Sequence, residues 1–85
     1  MGAIYIHLNP ADLVCHLFGG VRATARAIGR EPSSVSKWKK SEELGGCGGY
    51  IPTKARRLVM TYAIENGIKL SSADLDFGRK VKVTK

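Results

Sequence analysis

Cysteine is scarce. Cys15 and Cys47 are the two thiols in a chain of 85 residues, too few for the disulfide scaffold of a small secreted domain. No zinc spacing joins them to His7 and His16, so no metal site is expected. Long apolar runs and a signal-peptide core are also missing, which argues against a membrane role and for the cytosol. Met1-Gly2 does not open a myristoylation motif, because Ile6 stands where Ser or Thr is required. Nor is there a credible Ser/His/acid set or a pair of carboxylates in a cleft, so neither an enzyme nor a cofactor is expected. Acidic residues are the other shortage. Seven Asp and Glu against 14 Lys and Arg leave a net charge of +7. That balance fits a polyanionic partner or simply a solvated basic surface, and composition alone does not choose.

What the chain does have is an organising stretch from Gly20 to Lys40. Val21, Ala25 and Ile28 fall on one stripe of a helix. Gly29 stops it, since a residue just past a helix end often needs positive φ. Pro32 restarts the chain as a helix, where its fixed φ fits and its missing N–H is no loss. Val35 and Trp38 form the inner side of this second helix, with Ser33, Ser36, Lys37 and Lys40 opposite. Small Ala25 sits where the two helices would cross. This spacing predicts a helix-turn-helix, whose second helix lies in the DNA major groove.

Elsewhere the patterns are plainer. Ile4, Ile6 and Leu8 alternate with Tyr5 and His7 at strand period. The tail, where Val81 and Val83 alternate with Lys80, Lys82 and Thr84, could pair with it, within one chain or across a dimer; a frayed basic tail is the plainer expectation. Asn9, Pro10 and Asp12 signal a helix start before the stripe Leu13, Val14, Leu17 and Phe18. Cys15 reads as a small core residue of that helix and Cys47 as an accessible thiol. The connector from Ser41 to Tyr50 lacks the Gly-Lys-Ser/Thr of a P-loop and reads as a mobile loop whose N–H groups could touch a DNA backbone. Pro52 opens a long helix with the stripe Ala55, Leu58, Val59 and Tyr62, ended by Gly67. Met60, Ala63 and Ile64 widen that stripe, either as a dimer face or because the helix is deeply buried. Ser71 to Leu75 carries a Ser-x-x-Asp capping signal and is expected to form one further helical turn.

From Phe18 to Leu75 the sequence resembles the small helix-turn-helix repressors of lambdoid phages, the Cro family and the related YdaS-like proteins. The resemblance rests on Phe18-Gly19, Thr24-Ala25-Arg26-Ala27-Ile28-Gly29, Ser34-Val35-Ser36-Lys37-Trp38-Lys39, Ile51-Pro52, Lys54-Ala55-Arg56 and Asp74-Leu75. It departs from the family at Pro32, which has no side-chain donor where members often place an adenine-reading Gln, and in its longer connector. The resemblance implies a mainly α, compact four- to five-helix lambda-repressor-like DNA-binding domain. The ends, residues 1–8 and 79–85, fall outside it, and their alternation adds short β-strands at the N- and C-termini as an option. Residues 1–85 then form one domain with a core of about 9–76 and terminal segments 1–8 and 79–85.

The function so implied is a sequence-specific transcriptional repressor, with helix 32–40 in the major groove of a palindromic double-stranded operator. It would act as a homodimer in the bacterial host cytosol. Base contacts fall to Lys37, Ser33 and Ser36, with Arg30 reaching a base edge or a phosphate and Ser34 facing bases or capping its own helix. Arg22, Lys39, Lys40 and Lys54 are assigned to phosphate. Arg26, Arg56 and Arg57 read equally as a solvated face. The alternative is an antitoxin-type or regulatory protein-interaction module on the same scaffold, suggested by Glu42-Glu43 and the surplus apolar face of the long helix.

Overall fold

Asn9 opens the helical body. Its side-chain oxygen accepts the backbone N–H of Asp12 at 2.8 Å, and Pro10 takes the first helical position. The computed structural model describes residues 4–83. In chain order it contains strand β1 (Ile4–Leu8), helices α1 (Pro10–Phe18), α2 (Val21–Ile28) and α3 (Pro32–Lys39), and a 3₁₀ turn (Glu42–Leu44). Helices α4 (Thr53–Glu65) and α5 (Ser72–Phe77) and strand β2 (Arg79–Val83) follow. The protein is therefore mainly helical with one short antiparallel sheet. At α5 the expected capping box forms in full, Ser71 and Asp74 each bonding the other's backbone N–H.

One core unites the five helices. Ala11, Val14 and Phe18 of α1 meet Ala25 and Ile28 of α2, Val35 and Trp38 of α3, and Leu75 of α5. The α4 stripe departs from expectation. Ala55, Val59 and Ala63 are buried, whereas Leu58 is exposed and Tyr62 only half-buried. Residues four apart lie nearly in line on a helix, so the two alanines flank Val59 and let α4 lie close across α2. Tyr62 instead sets its ring 4.8 Å from that of Phe18. Ile64, on the far side, is 75% exposed.

The two ends of the chain pair with each other rather than fraying. β1 and β2 run antiparallel, with Ile4 opposite Val83 and Leu8 opposite Arg79. The pairing is within one chain. Its apolar side is thinly covered, with Ile4 and Ile6 both exposed. His7 Nε2 donates to the Phe77 carbonyl at 3.0 Å, tying the ribbon to the end of α5. Thr84, expected in the same alternation, and the Met1-Gly2 start lie outside the described residues.

The glycine-rich connector is also not the free loop its composition suggests. Its N–H groups are engaged by the end of α3: Cys47 donates to the Lys37 carbonyl at 3.0 Å, Gly48 to Lys40 at 2.8 Å and Gly49 to Trp38 at 2.6 Å. The carbonyl of Gly49 then accepts from Ala11 of α1 at 2.8 Å. The connector thus satisfies carbonyls that a helix end leaves without partners, and it is not available to grip phosphates through these groups. Gly46 lies so close that a β-carbon would stand 2.3 Å from the Lys40 oxygen and 2.6 Å from that of Lys37.

The two thiols separate as expected, Cys15 buried and Cys47 partly accessible. Burial pushes the Cys15 thiol above its ordinary range, with smaller opposing effects from the Thr24 hydroxyl and Lys39 and a small raising effect from Asp12. The neutral thiol is the unreactive form, so an alkylating reagent modifies Cys47 in the folded protein and Cys15 only on unfolding; mass spectrometry of a timed series checks this. The unfolded chain loses that proton at lower pH than the folded one. Cys15 therefore contributes stability below the ordinary thiol range that drains away as pH rises through the folded value.

Candidate nucleic-acid interface

Gly29 makes the turn between α2 and α3. It adopts φ 68°, ψ 35°, and its N–H and that of Arg30 return to the carbonyls of Arg26 and Ala25. This closure satisfies the last carbonyls of α2 and leaves Arg30 and Glu31 to lead into Pro32. Val35 is fully buried and Trp38 is 4% exposed. Successive residues turn by about 100° on a helix, so Ser33, Ser36, Lys37 and Lys40 fall on the side opposite this pair. Ser33, Lys37 and Lys40 are exposed and Ser36 is half-buried. Ser34 lies to one flank, also half-buried. It makes no capping bond: no side chain caps α3, and Glu31 starts it through its backbone carbonyl.

The cations divide into two groups. Lys39 lies 3.4 Å from Asp12, Arg56 pairs with Asp76, and Arg79 is 3.7 Å from Asp74. These three ion pairs sit away from the outward side of α3. By contrast, Arg22, Arg30, Lys37, Lys40 and Lys54 are exposed and have no ion-pair partner among the described residues. Arg57, Lys69, Lys80 and Lys82 are likewise exposed and without an ion-pair partner among the described residues, so the unpaired positive charge includes the helix-turn-helix but also extends beyond it.

Arg26 belongs to this group as well. Arg22, Arg26 and Arg30 line one open depression beside Pro32 and Ala25. Arg22 and Arg26, four apart on α2, share a helix face, and that spacing is the signal in the sequence that finds Arg26. Lys39 stands apart from its assigned companions because Asp12 already offsets part of its charge. Lys39→Ala should therefore lower the salt slope of duplex binding by clearly less than the ~0.9 of a free lysine on a phosphate, and Lys40→Ala by about that full amount. Titrations of one duplex across several salt concentrations measure both.

Among the described residues no group of three or more His, Cys, Asp or Glu could hold a metal ion. No helix among the described residues is long and apolar enough to cross a membrane. Comparison with protein families, curated proteins and solved structures finds no match for this chain.

Proposed function

We propose that the protein is a sequence-specific repressor of transcription that binds double-stranded DNA as a homodimer, with α3 in the major groove of a palindromic operator. The observation that carries this reading is the two-sided character of α3. Val35 and Trp38 hold it to the core, and Ser33, Ser36, Lys37 and Lys40 are left together on its outer side. A wide groove admits one helix and exposes the base edges that such side chains can bond. Lys37 is assigned to guanine O6 and N7, Ser33 and Ser36 to adaptable base contacts, and Arg22, Arg26, Lys40 and Lys54 to phosphates. The reading locates the protein on the nucleoid of a bacterial cytosol.

Selection from a random duplex pool tests it, and half-sites one duplex turn apart in the winners indicate two subunits on one face. On a selected site, Lys37→Ala should lose about 1–3 kcal/mol at one base position and relax preference there. A uniform loss across all sequences removes Lys37 from base reading. A protein-interaction role on the same scaffold is favoured by one feature, Leu44, which is 75% exposed beside Glu42 and Glu43. Random duplex across a salt series separates the two, because a module of that kind has no steep salt-dependent affinity for DNA.

A further inference from the structure

At the edge of α3 the surface folds into a cavity of about 230 Å³. Arg30 enters it from the turn, Ser34 and Lys37 from α3, and Lys54 from the first turn of α4. Trp38 forms part of its wall and Cys47 borders it from the connector. Three cations from three separate segments therefore share one concavity, and no carboxylate lines it among the described residues. Like charges beside an apolar wall raise one another's energy, and the field they focus draws in an anion. Ser34, free of any capping duty, adds a neutral donor.

We propose that this cavity binds a phosphate ester, with the phosphate held by Arg30, Lys54 and the Ser34 hydroxyl and its organic part against Trp38. Lys37 also lines the cavity and is exposed, and it is left to the base contact proposed above. A phosphate offers three acceptor oxygens and up to two charges, which matches two cations and a hydroxyl better than a carboxylate does. The volume is below that of pockets for drug-sized ligands, so the occupant is of the order of a sugar phosphate. Two sources carry that chemistry, a free nucleotide and the backbone of bound DNA. Only the second rests on the repressor reading.

Two reporters are built into the cavity. Trp38 is the single tryptophan of the chain, and Cys47 is its more accessible thiol. The folded full chain is titrated with thymidine 5′-monophosphate at constant ionic strength, with uncharged thymidine as the control. The nucleotide should give a saturable change in Trp38 emission and slow the alkylation of Cys47, and thymidine should do neither. Arg30→Ala and Lys54→Ala, both at exposed positions, should each weaken nucleotide binding about tenfold, as expected for loss of a charge-assisted hydrogen bond. Their thermal melts verify that each variant is folded.

A selected duplex that displaces the nucleotide identifies a backbone phosphate as the occupant, whereas simultaneous binding identifies a free nucleotide. Nucleotide binding with no duplex binding keeps the cavity and removes the repressor. An unsaturable response, an equal response to thymidine, or unchanged affinity in Arg30→Ala/Lys54→Ala overturns the proposal.

Discussion

Gly46→Ala should lower stability by about 3 kcal/mol, at the upper end of what overpacking costs. The added methyl meets the Lys40 carbonyl oxygen at 2.3 Å, the Lys40 β-carbon at 2.5 Å and the Lys37 oxygen at 2.6 Å. Two of these three atoms are backbone, so no rotamer change relieves them. To escape, the connector must lift from α3, and the bonds from Cys47, Gly48 and Gly49 to the helix end go with it. In a domain of this size the loss corresponds to a fall in melting temperature of roughly 12–24 °C. Gly45→Ala is the control. Its φ of 80° strains an alanine, but nothing lies within 4 Å of the added atom, so about 1 kcal/mol is expected. Calorimetry of the two variants separates collision from backbone strain. Equal melting temperatures would mean that the connector does not clasp α3.

Gly78→Ala should act as strongly but on a different part of the molecule. Gly78 turns the chain from α5 into β2 at φ 74°, ψ −165°, a region open in practice to glycine alone. A β-carbon there would stand 2.0 Å from the Leu8 carbonyl oxygen. The ribbon has little of its own to resist with, since Ile4, Tyr5 and Ile6 are all exposed and a lone two-stranded ribbon is marginal in water. The strain is therefore released by the strands parting, and the helices stay folded. Hydrogen exchange should show that β1 and β2 lose most of whatever amide protection the ribbon has. Amides of α1 to α4 should keep theirs. Loss of protection everywhere would show that the ribbon and the helices unfold as one unit.

What could be read from the residues was what depends on near neighbours. Asn9 caps α1, Gly29 and Pro32 bracket the turn, and Val35 and Trp38 point inward, because each needs only a few adjacent positions. Partners distant in sequence were harder to see. The ribbon joins opposite ends of the chain, and nothing local in Val81 or Lys80 indicates Ile6 or His7 as the residue across from it. The pairing of Lys39 with Asp12 likewise depends on how α1 and α3 meet, which no run of adjacent residues reveals.

The connector differs from its composition for a subtler reason. Glycine permits a loose chain, but it also permits one backbone to lie against another, and composition does not tell these apart. On α4, the preference for large apolar residues in a core favoured Leu58 over Ala63. Close helix contact instead requires a small residue at that position.

The antiparallel pairing of Ile4 with Val83 also constrains the order of events in folding. Closing a loop that holds nearly the whole chain is entropically unfavourable until something draws its ends together. Docking of α1 on α5 does so, since one directly follows the first strand and the other directly precedes the last. The strands should therefore zip after the helices have assembled, and a probe on their pairing would time the final step of the refolding reaction.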